Sequence, residues 1–275
     1  MRIEHILENG SGKLNEDDII IAENLFGVFD GATSLGNQKF DSDKTGGFLA
    51  SSAARSVFAK NHYPLTVLAG EANKAIHSRM VQHGVDLTKK ENRWSTSAAV
   101  IRIKDNKLEW VQTGDSYIIL IFQDNSHKVL IEQSDHDYET LCLWKSEKNG
   151  FNGCKKALAD QIRKKRCEMN VTYGVLNGEG KATDFLNHGH ESLDRVKEIL
   201  LFTDGLTIPV KTPEKKRNFT PLVESYLTIG LIGLKNKIRQ MEALDPERIL
   251  YPRFKRHDDI AAIAVSDLNT MTIAF

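Results

Sequence analysis

Short, nearly continuous apolar runs broken by turn residues dominate the chain, and stretches of helical periodicity interrupt them. Ile19–Ile21 and Leu25–Phe29, separated by Ala22-Glu23-Asn24, predict a β-hairpin. Ala50, Ala53, Ala54, Val57 and Phe58 recur at helical spacing. A second helix is predicted from Pro64, a proline at a helix start, through Leu65, Leu68, Ala72, Ile76 and Met80. Strands follow at Ser97–Ile103, Leu108–Thr113, Tyr117–Phe122 and Lys128–Ile131, with Asp105-Asn106, Gly114-Asp115 and Asp124-Asn125-Ser126 as the turns of a meander. Local hairpins of this kind make antiparallel sheet, not crossover units. From Asp135 to Gly189 the pattern gives way to charged, helix-like pieces. Beyond it come a strand into Thr203-Asp204, a helix through Leu234, Ile238 and Met241, and a terminal hairpin pairing Ile260–Val265 with Thr270–Ala274.

Composition narrows the possibilities. The 275 residues carry 37 basic and 37 acidic side chains, so bulk charge offers nothing to nucleic acid or to an anionic membrane, and neither is expected as a partner. The start, Met1-Arg2-Ile3-Glu4-His5, lacks the apolar stretch of a secretion signal, and no run reaches membrane-spanning length. Cys142, Cys154 and Cys167 show no CxxC spacing, so neither a disulfide framework nor a zinc site is expected and the cytoplasm is the expected compartment. With no linker in sight, one domain spanning 1–275 is expected, with a variable insert at about 135–190.

The chemistry lies in the way the runs end. Phe26-Gly27-Val28-Phe29-Asp30-Gly31, Val111-Gln112-Thr113-Gly114-Asp115, Leu200-Leu201-Phe202-Thr203-Asp204-Gly205 and Arg256-His257-Asp258-Asp259-Ile260 each place an aspartate at a strand boundary, and Asn15-Glu16-Asp17-Asp18 runs directly into Ile19. Strand ends of this type aim carboxylates and bare carbonyls past the sheet edge. If they converge, the oxygen-only pocket holds too much negative charge to persist unpaired. Hard divalent cations, Mg²⁺ or Mn²⁺, are the natural counter-ions, and the chain reads as a metal-dependent hydrolase.

In order along the chain, Asn15-Glu16-Asp17, Asp30-Gly31, Ser95-Thr96-Ser97-Ala98-Ala99, Gly114-Asp115-Ser116, Thr203-Asp204-Gly205-Leu206 and Asp258-Asp259 resemble the motifs of the metal-dependent protein phosphatases of the 2C family. Tyr173-Gly174-Val175-Leu176-Asn177-Gly178 is similar to a segment that bacterial members carry beside the site. The resemblance implies an α+β fold, a four-layer α/β/β/α sandwich with two central antiparallel β-sheets. It implies two metal ions and a weaker third: Asp30 bridging, the Gly31 carbonyl on one ion, Asp17, Asp204 and Asp258 completing the set, and Asp115 sharing the third ion with Asp204. The implied reaction is direct hydrolysis of phosphoserine or phosphothreonine by a metal-bridging water or hydroxide. The implied partner is a phosphorylated protein, met by a monomer.

Three departures matter. The phosphate-holding arginine that the family carries just before its acidic cluster is absent; Lys13, the nearest basic residue, is expected to neutralise the substrate phosphate in its place, without the bidentate fork. Position 32, where many members have a histidine acting as general acid, is Ala32. The usual Asp-Asn near the end is Asp258-Asp259. Glu16, Asp259 and His257 are expected to support the ligands, with His257 the best-placed substitute acid in sequence, and Lys164-Lys165-Arg166 reads as a solvated face. A pseudophosphatase kept as a binding module and a phosphatase for small metabolites remain the alternatives.

Overall fold

The computed structural model describes residues 1–36, 38–132, 135–146 and 155–268. Two five-stranded antiparallel sheets lie face to face. In one, the order is β1 (Arg2–Glu8), β10 (Ile260–Ser266), β9 (Val196–Phe202), β6 (Tyr117–Phe122) and β7 (His127–Val129). In the other it is β2 (Asp18–Ile21), β3 (Leu25–Gly31), β4 (Thr96–Lys104), β5 (Lys107–Thr113) and β8 (Asn187–Ser192). Helices α1 (Gly46–Phe58) and α2 (Leu65–Gln82) cover the outer face of the β3 sheet, and α5 (Thr220–Ala243) covers that of the β9 sheet. Helices α3 (Tyr138–Ser146) and α4 (Lys155–Cys167) pack against each other.

The layering explains the apolar runs. Along β3, Phe26 and Val28 enter the core between the sheets, while Leu25 and Phe29 pack under α1 and α2 with Phe58 and Leu68. Along β9, Ile199 and Leu201 face the other sheet, and Leu200 and Phe202 meet Leu222 and Tyr226 of α5. A strand buried on both faces loses its polar alternation and reads as continuous hydrophobic sequence. The four-layer α+β sandwich is thus the observed architecture.

Two expectations need correction, and one strand was not foreseen. The strands from Ser97 to Ile131 do not form one meander: β5 and β6 belong to different sheets, and Gly114-Asp115 is the crossover between them. Gly114 has φ +71°, and a Cβ there would lie 2.4 Å from that of Ser97, so the crossing requires glycine. Strand β8, which begins inside the expected variable insert of about 135–190, pairs with β5 as an edge; its sequence Asn-His-Gly-His-Glu-Ser carries no apolar signal because an edge strand can stay wet. Strand β1 went unread because Ile3 and Ile6 are interspersed with charged residues and a histidine. Strand β10 pairs with β1 on one side and β9 on the other; the expected hairpin partner, Thr270–Ala274, lies outside the described residues. No helix among the described residues is long and apolar enough to cross a membrane.

Candidate active site

The antiparallel register brings five carboxylates to one end of the sandwich. Asp17 precedes β2, Asp30 lies in β3 opposite Ser97 of β4, Asp115 sits on the crossover, Asp204 follows β9 and Asp258 precedes β10. Asp30, Gly31, Asp115, Asp204 and Asp258 line a cavity of about 400 Å³. Gly31 fits because its Cα is pressed between main chains: a Cβ would lie 2.4 Å from the carbonyl oxygens of both Glu16 and Gly47.

Electrostatics report the same convergence. Burial, reinforced by the charges of Asp17, Asp204, Asp115 and Asp258, holds the Asp30 carboxyl well above the usual carboxylate range. Burial, then Asp258 and Asp115, does the same to Asp204. Asp17 is also raised by burial, although its Oδ2 accepts a 2.7 Å hydrogen bond from the Thr203 hydroxyl. Among the described residues, no group donates to the side chains of Asp30 or Asp204 or pairs with them. Two carboxylates facing a cavity without protein partners, beside three more, are oxygen donors of the kind a hard divalent cation takes.

The surrounding polar groups fix these oxygens. Asp259 is buried and accepts the Gly10 and Glu16 N–H groups at 2.7 and 2.9 Å, which ties the start of β10 to the acidic segment before β2. Glu16, also buried, accepts from the Thr33 hydroxyl, and its carbonyl accepts from Gly31 N–H at 3.2 Å. The Ser97 and Ser116 hydroxyls bond at 2.6 Å and pin the crossover to β4. His257 turns to Glu242, with Nδ1 2.8 Å from Oε2, and does not line the cavity. Lys13 does not line it either.

Other residues do line it that sequence reading passed over. Lys255 Nζ sits 2.7 Å from Asp258 Oδ1 and 4.0 Å from Asp259 Oδ2, and these charges outweigh burial and raise its pKa. His136 stacks on Tyr173 with ring centroids 4.1 Å apart, and its Nε2 is 3.6 Å from Asp115 and 3.8 Å from Asp137. The three groups offer ligand atoms within 4.8 Å of one another, a geometry a cation fits. Arg217 holds Asp135 through its Nε and Nη2 at 3.1 and 3.0 Å, fixing the segment that carries His136. The run Asp135-His136-Asp137, alternating carboxylate and imidazole, was the available signal. Nothing local marks Lys255.

This acidic cluster has a measurable consequence. A raised carboxyl pKa means that the folded protein holds protons the unfolded chain has released, so metal-free stability falls as pH rises above the ordinary carboxylate range of about 4. A cation displaces those protons, and its stabilising effect grows with pH. Mn²⁺ at a hundred times its Kd adds about 2.7 kcal/mol per site, or roughly 5–11 °C in Tm for a chain of this size. Thermal melts with Mn²⁺ and with EDTA at about pH 5 and about pH 7 are expected to show the larger increment at the higher pH. A vanishing increment at neutral pH would remove the metal centre.

No protein-family model matches the sequence, and no curated protein matches it. Solved structures do match. The catalytic domain of the serine/threonine protein phosphatase PstP, in complex with two manganese ions, aligns over 96% of this chain and 97% of its own, with a TM-score of 0.60 at 16% identity. The serine/threonine phosphatase Stp1 from Staphylococcus aureus covers 96% of this chain and 94% of its own, with a TM-score of 0.57 at 16% identity. PppA of Pseudomonas aeruginosa covers 96% of both chains, with a TM-score of 0.55 at 15% identity. The chain therefore has the fold of bacterial serine/threonine phosphatases, the fold that its ordered motifs resemble.

Proposed function

We propose that the protein is a divalent-cation-dependent phosphatase acting on phosphoserine and phosphothreonine in proteins. One observation supports this above others: Asp30, Asp115, Asp204 and Asp258 line one cavity with the charge of Asp17 felt behind Asp30, and Asp30 and Asp204 face it without a protein partner among the described residues. Asp17, Asp30, Gly31, Asp204 and Asp258 would hold two ions of Mg²⁺ or Mn²⁺, with Asp115 and Asp204 holding a third, and the bound cations would supply Lewis acidity toward water and the phosphoryl oxygens. The chain's own part is preorganisation. Strand register sets Asp30, the Thr203 hydroxyl orients Asp17, and Asp259 locks the two acidic segments together. Trp144, Leu158, Ile162, Val175 and Phe254 form an apolar wall to the same cavity, which has room for a phosphorylated side chain projecting from a protein surface.

Hydrolysis of p-nitrophenyl phosphate and of a phosphothreonine peptide, each with Mn²⁺, with Mg²⁺ and with EDTA, tests the reading. Turnover is expected with a cation, lost in chelator and restored on re-addition. Turnover that persists in EDTA, or none with either cation, sinks it. The competing reading, a pseudophosphatase, rests on Ala32 and on the lack of an arginine near Lys13.

A further inference from the structure

The cations around the cavity are not equivalent. Lys255 is paired with Asp258, Arg217 with Asp135, and Lys165 with Glu139 and Glu168, both at 3.0 Å. Arg166, at the end of α4, also lines the cavity, yet among the described residues no carboxylate lies within ion-pair distance of its guanidinium. Its Nη2 donates to the Thr33 carbonyl at 2.7 Å and its Nη1 to the Ser95 hydroxyl at 3.2 Å. Those two bonds use two of five N–H donors, leaving three, the Nε–H among them, without a protein acceptor among the described residues.

The anchoring points set where this charge sits. Thr33 is three residues beyond Asp30, on the loop that carries Ala32, and the Ser95 carbonyl accepts the Ala32 N–H at 3.0 Å. The guanidinium is thus held against the loop leaving Asp30-Gly31, inside the cavity those residues line. Lys164, next to it in sequence, is exposed, so the basic run is not one solvated face but divides: Lys164 outward, Arg166 inward.

We propose that Arg166 binds the phosphoryl group of the substrate, delivering from α4 the arginine that the chain lacks before its acidic cluster. A partly desolvated guanidinium with a free donor edge matches two phosphoryl oxygens in a bidentate fork. The cluster beside it attracts cations and repels a dianionic ester, so an uncommitted positive charge is the complement an ester requires before reaction. The assignment rests on the phosphatase reading, and one probe separates the two. Phenylphosphonate, a non-hydrolysable stand-in for a phosphate monoester, is titrated calorimetrically into Mg²⁺-loaded protein.

Arg166→Ala is expected to weaken phenylphosphonate binding by about 10- to 100-fold. The KM for p-nitrophenyl phosphate should rise in parallel, and Mg²⁺ affinity should stay within about twofold, since no cation ligand is touched. Arg166→Gln, which keeps a donor for the Thr33 carbonyl without the charge, should behave the same way if the alanine variant fails to fold. Ethylguanidinium should restore part of the loss in Arg166→Ala, and Lys164→Ala should match the parent. Phosphonate affinity indifferent to both variants, or falling in step with Mg²⁺ affinity as expected of a clamp that only shapes the loop, overturns the proposal. Phosphonate binding through Arg166 in a parent that hydrolyses no ester defeats the phosphatase reading and leaves the anion site standing. Hydrolysis by the parent with phosphonate binding indifferent to Arg166 does the reverse.

Discussion

Asp30→Asn is expected to reduce cation-dependent hydrolysis to background while making the metal-free protein more stable. The two effects share one cause. Asp30 has no protein hydrogen bond to its side chain among the described residues, and burial together with Asp17, Asp204, Asp115 and Asp258 disfavours its charge. In the folded, metal-free state it is a destabilising group at any pH above the ordinary carboxylate range, because folding there must either bury its charge or take up a proton. An amide of the same shape removes that charge, so the metal-free Tm should rise by roughly 2–4 °C per kcal/mol recovered. The same change takes away a carboxylate oxygen that would hold the cation, so Mn²⁺ should bind more weakly by calorimetry and add less to the melting temperature. Asp204→Asn should follow closely. Asp258→Asn should lose activity but gain less stability, because Lys255 would keep only Asp259, at 4.0 Å. An Asp30→Asn protein that binds Mn²⁺ and turns over like the parent removes Asp30 from the centre. One that loses activity together with metal-free stability makes Asp30 a structural residue instead.

The same contrast explains what could be read from sequence. Each carboxylate stands at the boundary of an apolar run, and such a run announces its own position. Once β2, β3, β5, β9 and β10 pair in antiparallel register, Asp17, Asp30, Asp115, Asp204 and Asp258 must share one end of the sandwich. The cations and the imidazole obey no such rule. Arg166 arrives on a helix, His136 on a loop held by Arg217, and Lys255 in an irregular stretch before β10. Their placement depends on how those pieces dock, which adjacency in sequence does not encode. Adjacency suggested Lys13 and His257 instead, and neither lines the cavity. His257 is drawn to Glu242, a buried carboxylate on α5 that also pairs with Arg239 at 2.8 Å. Glu16 and Asp259 were legible as neighbours of the proposed ligands, but their part in joining the segments before β2 and β10 emerges only from the bonds that the Gly10 and Glu16 N–H groups donate to Asp259.

Ala32 leads to the second large effect, a steep dependence of rate on the leaving group. Without a histidine at this position the leaving oxygen is expected to depart nearly unprotonated, so an aryl ester whose leaving group is a weak base should be hydrolysed far faster than an alkyl ester. General acids contribute about 10²- to 10⁴-fold, which bounds both the handicap on phosphothreonine and the gain available from Ala32→His. The substitution is expected to raise turnover of a phosphothreonine peptide while changing that of p-nitrophenyl phosphate little, because only the poor leaving group benefits from a proton. A series of aryl phosphates of graded leaving-group pKa, measured in the parent and in Ala32→His, should give a steep slope that flattens in the variant. A shallow slope in the parent would mean that another group already donates. His136 is then the first to replace, since it lines the cavity 3.6 Å from Asp115 while His257 does not line it. No turnover of any ester in a protein shown by calorimetry to hold its cations would instead identify a pseudophosphatase, in which the carboxylates retain metal but the chemistry has been lost with the acid.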